Sequence, residues 1–429
     1  MFENIIGNKK VIEFLQHDIR SQSLPPAILL QGDAFVGKMT VALELARTLS
    51  CQKNALWNCD CHSCQEQRTL SSADVMILGS KDCSIEVRVA KNVLLKNKTK
   101  ASYYLFLRAI KKLTRRFDQV LWDAQDPAFI KAAPLLVDIE EILAELKKKE
   151  NSIEECDDES LSKIIDKLES KCDKLQEECM YDSIPISQVR LSLNWLRLKT
   201  NNKKKILILE NAHNMLEGAR NAFLKELEEP PCYANFILTS PSKNAIMPTI
   251  LSRTRSYVFS KRGKDEEWEV LERVFKFKEK DDIKEIKGSS LLTSFFYNML
   301  PIKLDEINDA ALFFWKYILA DESLDTNQFF SLHSFLDSYK KVEKKSEDVA
   351  HLIAHLNKFK PSIIYTIFLR AMMQVLHSSI TFSLCSAKEV ARYKLIASYI
   401  ESAREKVELY NMGSQGVLED LVENIRSVL

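Results

Sequence analysis

Glycine is scarce in this chain. Nine occur in 429 residues, where a usual share of about 7% would give roughly thirty. So few glycines argue against a fold built on strained turns and for a helix-rich protein. A net charge is missing too. Lys and Arg number 61 against 60 Asp and Glu, so no global basic field exists, and any contact with nucleic acid has to come from a local patch. No run of about 18 apolar residues occurs, which excludes a membrane-spanning helix. The opening, Met1-Phe2-Glu3-Asn4-Ile5-Ile6-Gly7, lacks the basic head and long apolar core of a secretory signal, so a cytoplasmic location is expected.

What is present is ample apolar material, 46% of residues, in a chain long enough for two or three domains. The first segments predict a helix over Lys9–Ser21, a strand over Ala27–Gln31, a turn holding Gly32 and Gly37, and a helix from Thr40 to Leu49. Further buried strands are expected over Ile206–Leu209 and Phe236–Thr239. Short apolar strands alternating with helices predict a parallel, three-layer α/β core. Between about 83 and 182 a helical insertion is expected. Leu107, Ile110, Leu113, Phe117 and Val120 lie at helical spacing within Tyr103–Leu121. Leu161, Ile165, Leu168, Cys172, Leu175 and Cys179 follow a coiled-coil-like seam. Its halves are oppositely charged, with nine Lys/Arg against two Asp/Glu over 91–123 and sixteen Asp/Glu against seven Lys over 138–182. A hairpin whose charges offset one another is the simpler reading, and a basic face for DNA or a partner the sharper one. After Phe259 the pattern is helical to the end.

Two motifs carry chemistry. Gly32-Asp33-Ala34-Phe35-Val36-Gly37-Lys38 fills the first seven places of a phosphate loop, with backbone N–H groups for the phosphates and Lys38 for their charge. The eighth place, which needs a hydroxyl for magnesium, holds Met39. A thioether is a poor ligand for a hard cation. Thr40, one residue on, is turned by about 100° around the helix. Four of the ten cysteines fall together as Cys51, Cys59, Cys61 and Cys64. Without a secretory signal this spacing favours a tetrahedral metal site over disulfides. The single residue between Cys59 and Cys61 makes a tight pair, and His62 is an alternative ligand. The seven histidines pair with no Ser or Cys nucleophile. Glu228 and Glu229, before Pro230-Pro231, read as a helix end rather than acid–base groups.

Residues 206–254 add the informative stretch: Ile206-Leu207-Ile208-Leu209-Glu210-Asn211, then Leu224-Lys225-Glu226-Leu227-Glu228-Glu229-Pro230-Pro231, then Leu251-Ser252-Arg253-Thr254. It resembles the core of bacterial DNA polymerase III clamp-loader subunits of the delta-prime type, in the AAA+ branch of P-loop ATPases. The resemblance spans 1–82 and 183–260 by motif, and the lid and collar by helical pattern alone. It implies an AAA+ core (1–260), a small helical lid (261–303) and an all-helical collar (304–429). In active relatives the strand ends in Asp-Glu, which hold magnesium and polarise water; here Glu210 and Asn211 stand in those places. The Ser-Arg-Cys signature appears as Ser252-Arg253-Thr254, whose arginine would reach the ATP of a neighbouring subunit. Sensor 1 corresponds to Ser240, while sensor 2, an arginine in the motor subunit, is Leu291. The nucleotide site is therefore expected to be degenerate, made of Gly32, Gly37, Lys38, Thr40, Glu210 and Ser240, with ATP held weakly and not hydrolysed. The four cysteines coincide with the family's structural zinc module. The implied role is a stator in a hetero-pentameric ring with gamma/tau motor and delta subunits. The ring would place the sliding clamp on primer-template DNA in the nucleoid-associated replisome. The alternatives are an ATP-hydrolysing gamma/tau-type motor and a non-replicative P-loop scaffold.

Overall fold

The computed structural model describes residues 1–81, 84–198, 204–277, 283, 289–300, 304–319, 330–338, 361–382, 387–408 and 412–428. They form two compact units, Met1–Met299 and Leu300–Leu429. Cys83, Gly288 and Cys385 lie outside the described residues.

The first unit is built on five parallel strands: β1 (Ala27–Gln31), β2 (Val75–Gly79), β3 (Lys205–Glu210), β4 (Ala234–Ser240) and β5 (Arg255–Val258), in the order β2-β3-β4-β1-β5. β1, β3 and β4 extend the predicted strands by at most two residues at an end. β2 and β5 were not anticipated. β2 carries the apolar run Val75-Met76-Ile77-Leu78, as long as that of β1, so its signal was present; in β5 only Tyr257 is buried, which leaves no apolar run. Strand side chains alternate between faces. Leu29, Leu78, Leu207, Leu209, Phe236 and Leu238 enter one core, whereas Ile28, Leu30, Ile77, Ile206, Ile208 and Ile237 enter the other.

On the second face lie α1 (Lys9–Arg20) and α2 (Lys38–Ser50), through Val11, Leu15, Val41 and Leu45; α3 (His62–Thr69) follows the cysteine loop. The first face is covered by α4 (Ser84–Lys96), α5 (Lys100–Thr114), α6 (Pro127–Lys148), α7 (Asp158–Cys179), α8 (Ile186–Leu196), α9 (Glu217–Glu228) and α10 (Pro248–Leu251). The segment expected as an insertion is thus helical, but it is continuous with the sheet's own core. Leu161, Ile165, Leu168, Cys172, Leu175 and Cys179 are all buried there with Leu207 and Phe236. The helix predicted over Tyr103–Leu121 ends early. Asp118 is extended at φ −56°, ψ 129°, and its carboxylate takes the Val120 N–H at 3.3 Å and Arg115 at 2.9 Å. Two single 3-10 turns, Arg115–Phe117 and Gln119–Leu121, complete the segment.

The opposite charges of this segment meet inside it. Arg88 pairs with Glu169 (3.3 Å) and Asp173 (3.0 Å), Lys91 with Asp166 (2.6 Å), and Lys98 with Asp158. Offset charge, not a free basic face, is what these pairs make.

α11 (Lys264–Arg273) and α12 (Leu291–Asn298) end the first unit. The described parts of the second unit are helical: α13 (Leu304–Leu319), α14 (Phe330–Ser338), α15 (Pro361–Phe382), α16 (Ala387–Glu408) and α17 (Ser414–Arg426). Its core holds fully buried Trp315, whose indole N–H donates to the Met372 carbonyl at 3.1 Å, and Phe314 set edge-on to Phe368 at 5.4 Å. Among the described residues no helix is long and apolar enough to cross a membrane.

Candidate functional site

The order of strands fixes the site. β4 lies between β1 and β3, in register Gln31 to Ser240 and Leu209 to Leu238. The C-terminal ends of the three strands therefore bring together the loop after Gln31, Ser240, and Glu210 with Asn211. This is the crevice at a switch in strand order, where open parallel sheets hold ligands.

The loop between β1 and α2 needs both its glycines. A Cβ on Gly32 would stand 2.7 Å from the Phe259 carbonyl oxygen, and one on Gly37, at φ +95°, would stand 2.5 Å from Arg262 Nη2. Arg262 straps this loop, donating from Nη1 to the Phe35 carbonyl at 2.7 Å and from Nε to the Ile6 carbonyl at 3.1 Å. At the tip, Phe35 adopts φ +61° and stacks on Phe296 of α12, ring centroids 4.4 Å apart. Lys38 folds back onto its own loop, donating to the carbonyls of Gly32 and Asp33 (2.6 Å to the latter). Burial pushes its ammonium down to about 8, against the pull of Asp33 and Glu210. Met39 packs partly into the core and Thr40 is exposed, as the turn of the helix predicts.

Glu210, at the end of β3, is ion-paired with the Arg116 guanidinium. Arg116 is itself only 3% exposed. Gly79 leaves room for it, since a Cβ there would lie 3.2 Å from Arg116 Nε. The peptide around it is fixed on both sides: Arg116 Nη1 donates to the Lys112 carbonyl at 2.6 Å, and the Trp122 indole to the Arg116 carbonyl at 2.8 Å. Burial works to raise the Glu210 carboxyl, but Lys112, Arg116 and Lys38 outweigh it and hold it below its ordinary value. Asn211 sits in the left-handed region, φ 54°, ψ 53°, which asparagine tolerates better than most residues, and its N–H donates to Thr239 Oγ1 at 3.0 Å. Ser240 is fully buried; its hydroxyl donates to the Ser242 carbonyl at 2.9 Å, and its carbonyl takes the Gly32 N–H at 3.2 Å. Leu291 opens α12, its N–H donating to Glu267 at 2.9 Å. A divalent cation does not fit this donor set. The hydroxyl place is Met39, and the carboxylate is already neutralised by the chain's own arginine.

Arg253 is more exposed than Arg116. It follows the short helix α10, with its side chain 34% accessible. Nη2 donates to Glu228 Oε1 at 2.6 Å, and Nη1 to the Thr249 carbonyl at 2.9 Å and Ser252 Oγ at 3.2 Å. Arg255 is engaged elsewhere, with Asp18 at 2.8 Å.

The four cysteines converge. All are buried, with their sulfurs within 4.8 Å of one another. Cys51 Sγ is 3.7 Å from Cys59 Sγ and 3.8 Å from Cys61 Sγ. Four thiolates at about 2.3 Å around tetrahedral zinc stand about 3.8 Å apart, so the set fits such an ion without help from His62. That imidazole points to solvent, 76% exposed, with Glu66 at 3.6 Å. Burial opposes ionisation of Cys61, but hydrogen bonds from the Gln52 and Cys64 backbone bring its thiol down to about 6. Arg47, not anticipated from the sequence, organises the cluster. Its guanidinium donates to Cys64 Sγ at 3.1 Å, to the carbonyls of Ala55 (3.0 Å) and Leu56 (3.1 Å), and to Glu44 at 2.6 Å. The visible signal was Glu44 three residues before Arg47, one turn ahead of Cys51.

A parallel sheet with a phosphate-loop turn after β1 and a carboxylate closing β3 is the core of an AAA+ P-loop protein. The family described as DNA polymerase III, delta subunit, matches residues 7–106 and 135–263, just over half of the chain. The chain belongs to that family, within the clamp-loader AAA+ proteins, in agreement with the resemblance carried by its motifs. The match runs through much of the segment expected as an insertion and leaves out 107–134, which contains Lys112 and Arg116. Over 82 residues the chain is 42% identical to the DNA polymerase III subunit gamma/tau of Mycoplasma genitalium, covering 19% of this chain and 13% of that protein. Over 57 residues it is 40% identical to the DNA polymerase III subunit tau of Bacillus subtilis, covering 13% and 10%. The chain thus spans a small part of the length of these relatives. A DNA polymerase III gamma subunit-related protein of Thermotoga maritima aligns over 57% of this chain and 80% of its own, at 20% identity and a TM-score of 0.26.

Proposed function

We propose that this chain is a delta-prime-type stator of the DNA polymerase III clamp loader. In this reading its own nucleotide site is inert, and Arg253 serves the ATP site of an adjacent gamma/tau motor subunit. The observation that carries the reading is a contrast between cations. Lys38 and Arg116 are spent inside the chain, on loop carbonyls and on Glu210, whereas Arg253 stands at the surface with donors to spare. A guanidinium stays charged and forks onto phosphate oxygens. Supplied in trans, it stabilises the charge that develops on a transferred phosphoryl group. The motor alternative lacks a hydroxyl at Met39, a base at Asn211 and a cation at Leu291.

Cys51, Cys59, Cys61 and Cys64 would hold a structural zinc, closed to a fifth ligand; the ion would tie the end of α2 to α3. Residues 261–303 would serve as the lid and 304–429 as the collar of a hetero-pentamer with motor and delta subunits. That ring would act on the sliding clamp and on primer-template DNA through the phosphate backbone rather than base edges. The isolated chain should take up fluorescent ATP weakly and with no gain on adding magnesium. Turnover of MgATP by the isolated chain, abolished by Lys38→Ala, would overturn the reading.

A further inference from the structure

We infer that Glu228 is the positioning residue for Arg253, holding its guanidinium so that one defined pair of N–H donors faces a neighbour's phosphate; the inference rests on the stator reading. Glu228 is the last residue of α9, where a carboxylate meets the negative end of the helix dipole. Its place there is unfavourable unless a cation stands beside it, and Arg253 is that cation, at 2.6 Å. Both side chains are substantially exposed, 34% and 51%, so the pair adds little to stability. What the pair chiefly sets is the orientation of the guanidinium.

The donor count shows what is oriented. A guanidinium carries five N–H donors. Two on Nη1 go to the Thr249 carbonyl and Ser252 Oγ, and one on Nη2 goes to Glu228. Nε–H and the second Nη2–H have no acceptor among the described residues. Those two are the donors left over for phosphate oxygens. The platform beneath is rigid: Ile250 of α10 is fully buried in the core that also holds Phe223 and Leu227 of α9. Glu228 and Thr249 therefore belong to two elements docked on the same core. Without Glu228 the long side chain swings about its Nη1 contacts, and the remaining donors lose their direction.

The test uses the full chain assembled with its motor and delta subunits, reading clamp- and primed-DNA-stimulated ATPase. Native protein is compared with Arg253→Ala, Glu228→Ala, Glu228→Asp and the double variant Arg253→Ala/Glu228→Ala. Glu228→Ala should lower kcat roughly tenfold, as misplacement of a catalytic group does, with KM for ATP little changed. Glu228→Asp should recover part of the loss. The double variant should be no slower than Arg253→Ala alone, since two residues acting through one group are not additive. Native kcat in Glu228→Ala beside a loss in Arg253→Ala overturns the positioning role and leaves the finger reading standing. Native kcat in Arg253→Ala overturns both. If Glu228→Ala does not assemble, Glu228→Gln decides: it keeps the acceptor and loses the charge, so a kcat between native and Arg253→Ala supports the role, and native kcat overturns it.

Discussion

At the scale of single residues, the phosphate-loop crevice is organised by cations that come from far away in the chain. Arg116 reaches Glu210 across 94 residues of sequence, and Arg262 straps the phosphate loop from the far side of β5. Met39 and the turned-away Thr40 were legible from spacing alone, because a helix fixes neighbouring side chains relative to one another. Arg116 and Arg262 were not, because nothing in a local pattern tells where a long side chain ends. The Arg116–Glu210 pair is buried, so removing one partner strands the other. Arg116→Met should cost on the order of 3–5 kcal/mol, and Arg116→Met/Glu210→Gln clearly less than the sum of the two single changes, measured by urea unfolding. Lys38 gives a pH signature. Its folded pKa, about 8, lies below the ordinary 10.5. Between those values the unfolded chain binds more protons, so this group's contribution to stability rises with pH. Relative to Lys38→Met, the native chain should gain stability between about pH 8 and pH 10.5; a flat difference would show that Lys38 is not buried as described.

At the scale of elements, periodicity was a good guide wherever an element was long or central. The seam from Leu161 to Cys179 is one buried stripe of α7, and β1, β3 and β4 follow their apolar runs. Two things escaped. β5 shows three exposed residues of four, since an edge strand can be half-solvated. The break at Asp118 escaped because its cause is a side chain turning back on Val120 and Arg115 rather than a proline or glycine. The helix that follows offers a local test. Asp126 caps α6, taking the Ala128 N–H and the Tyr181 hydroxyl, each at 2.9 Å. Asp126→Ala should therefore destabilise the unit by about 1–2 kcal/mol, read from the urea midpoint. The cysteine loop offers another. Its ligand spacing was legible, and so was the Glu44–Arg47 spacing, but that Arg47 ends on Cys64 was not. Purified protein should carry close to one zinc per chain, and chelation should lower the thermal midpoint and loosen α3, followed by metal analysis and hydrogen exchange. Well under one zinc, or an unchanged midpoint after removal, would leave the four thiols as a reduced packing cluster.

At the scale of the whole molecule, composition anticipated the architecture: few glycines, much helix, and a balance of charge that closes on itself between α4 and α7. Groups of the chain's own core engage its phosphate-loop crevice, Lys38 on the loop carbonyls and Arg116 on Glu210, while Arg253 is partly exposed beside Glu228. That asymmetry is the central claim, and one measurement addresses it directly. Clamp- and DNA-stimulated ATPase is measured in the assembled complex carrying either Arg253→Ala or Lys38→Ala in this chain. The account predicts a large fall with Arg253→Ala, up to the 10³-fold scale of arginine fingers at the affected site, and native rates with Lys38→Ala. Native rates with Arg253→Ala and a fall with Lys38→Ala would contradict it and make this chain a motor.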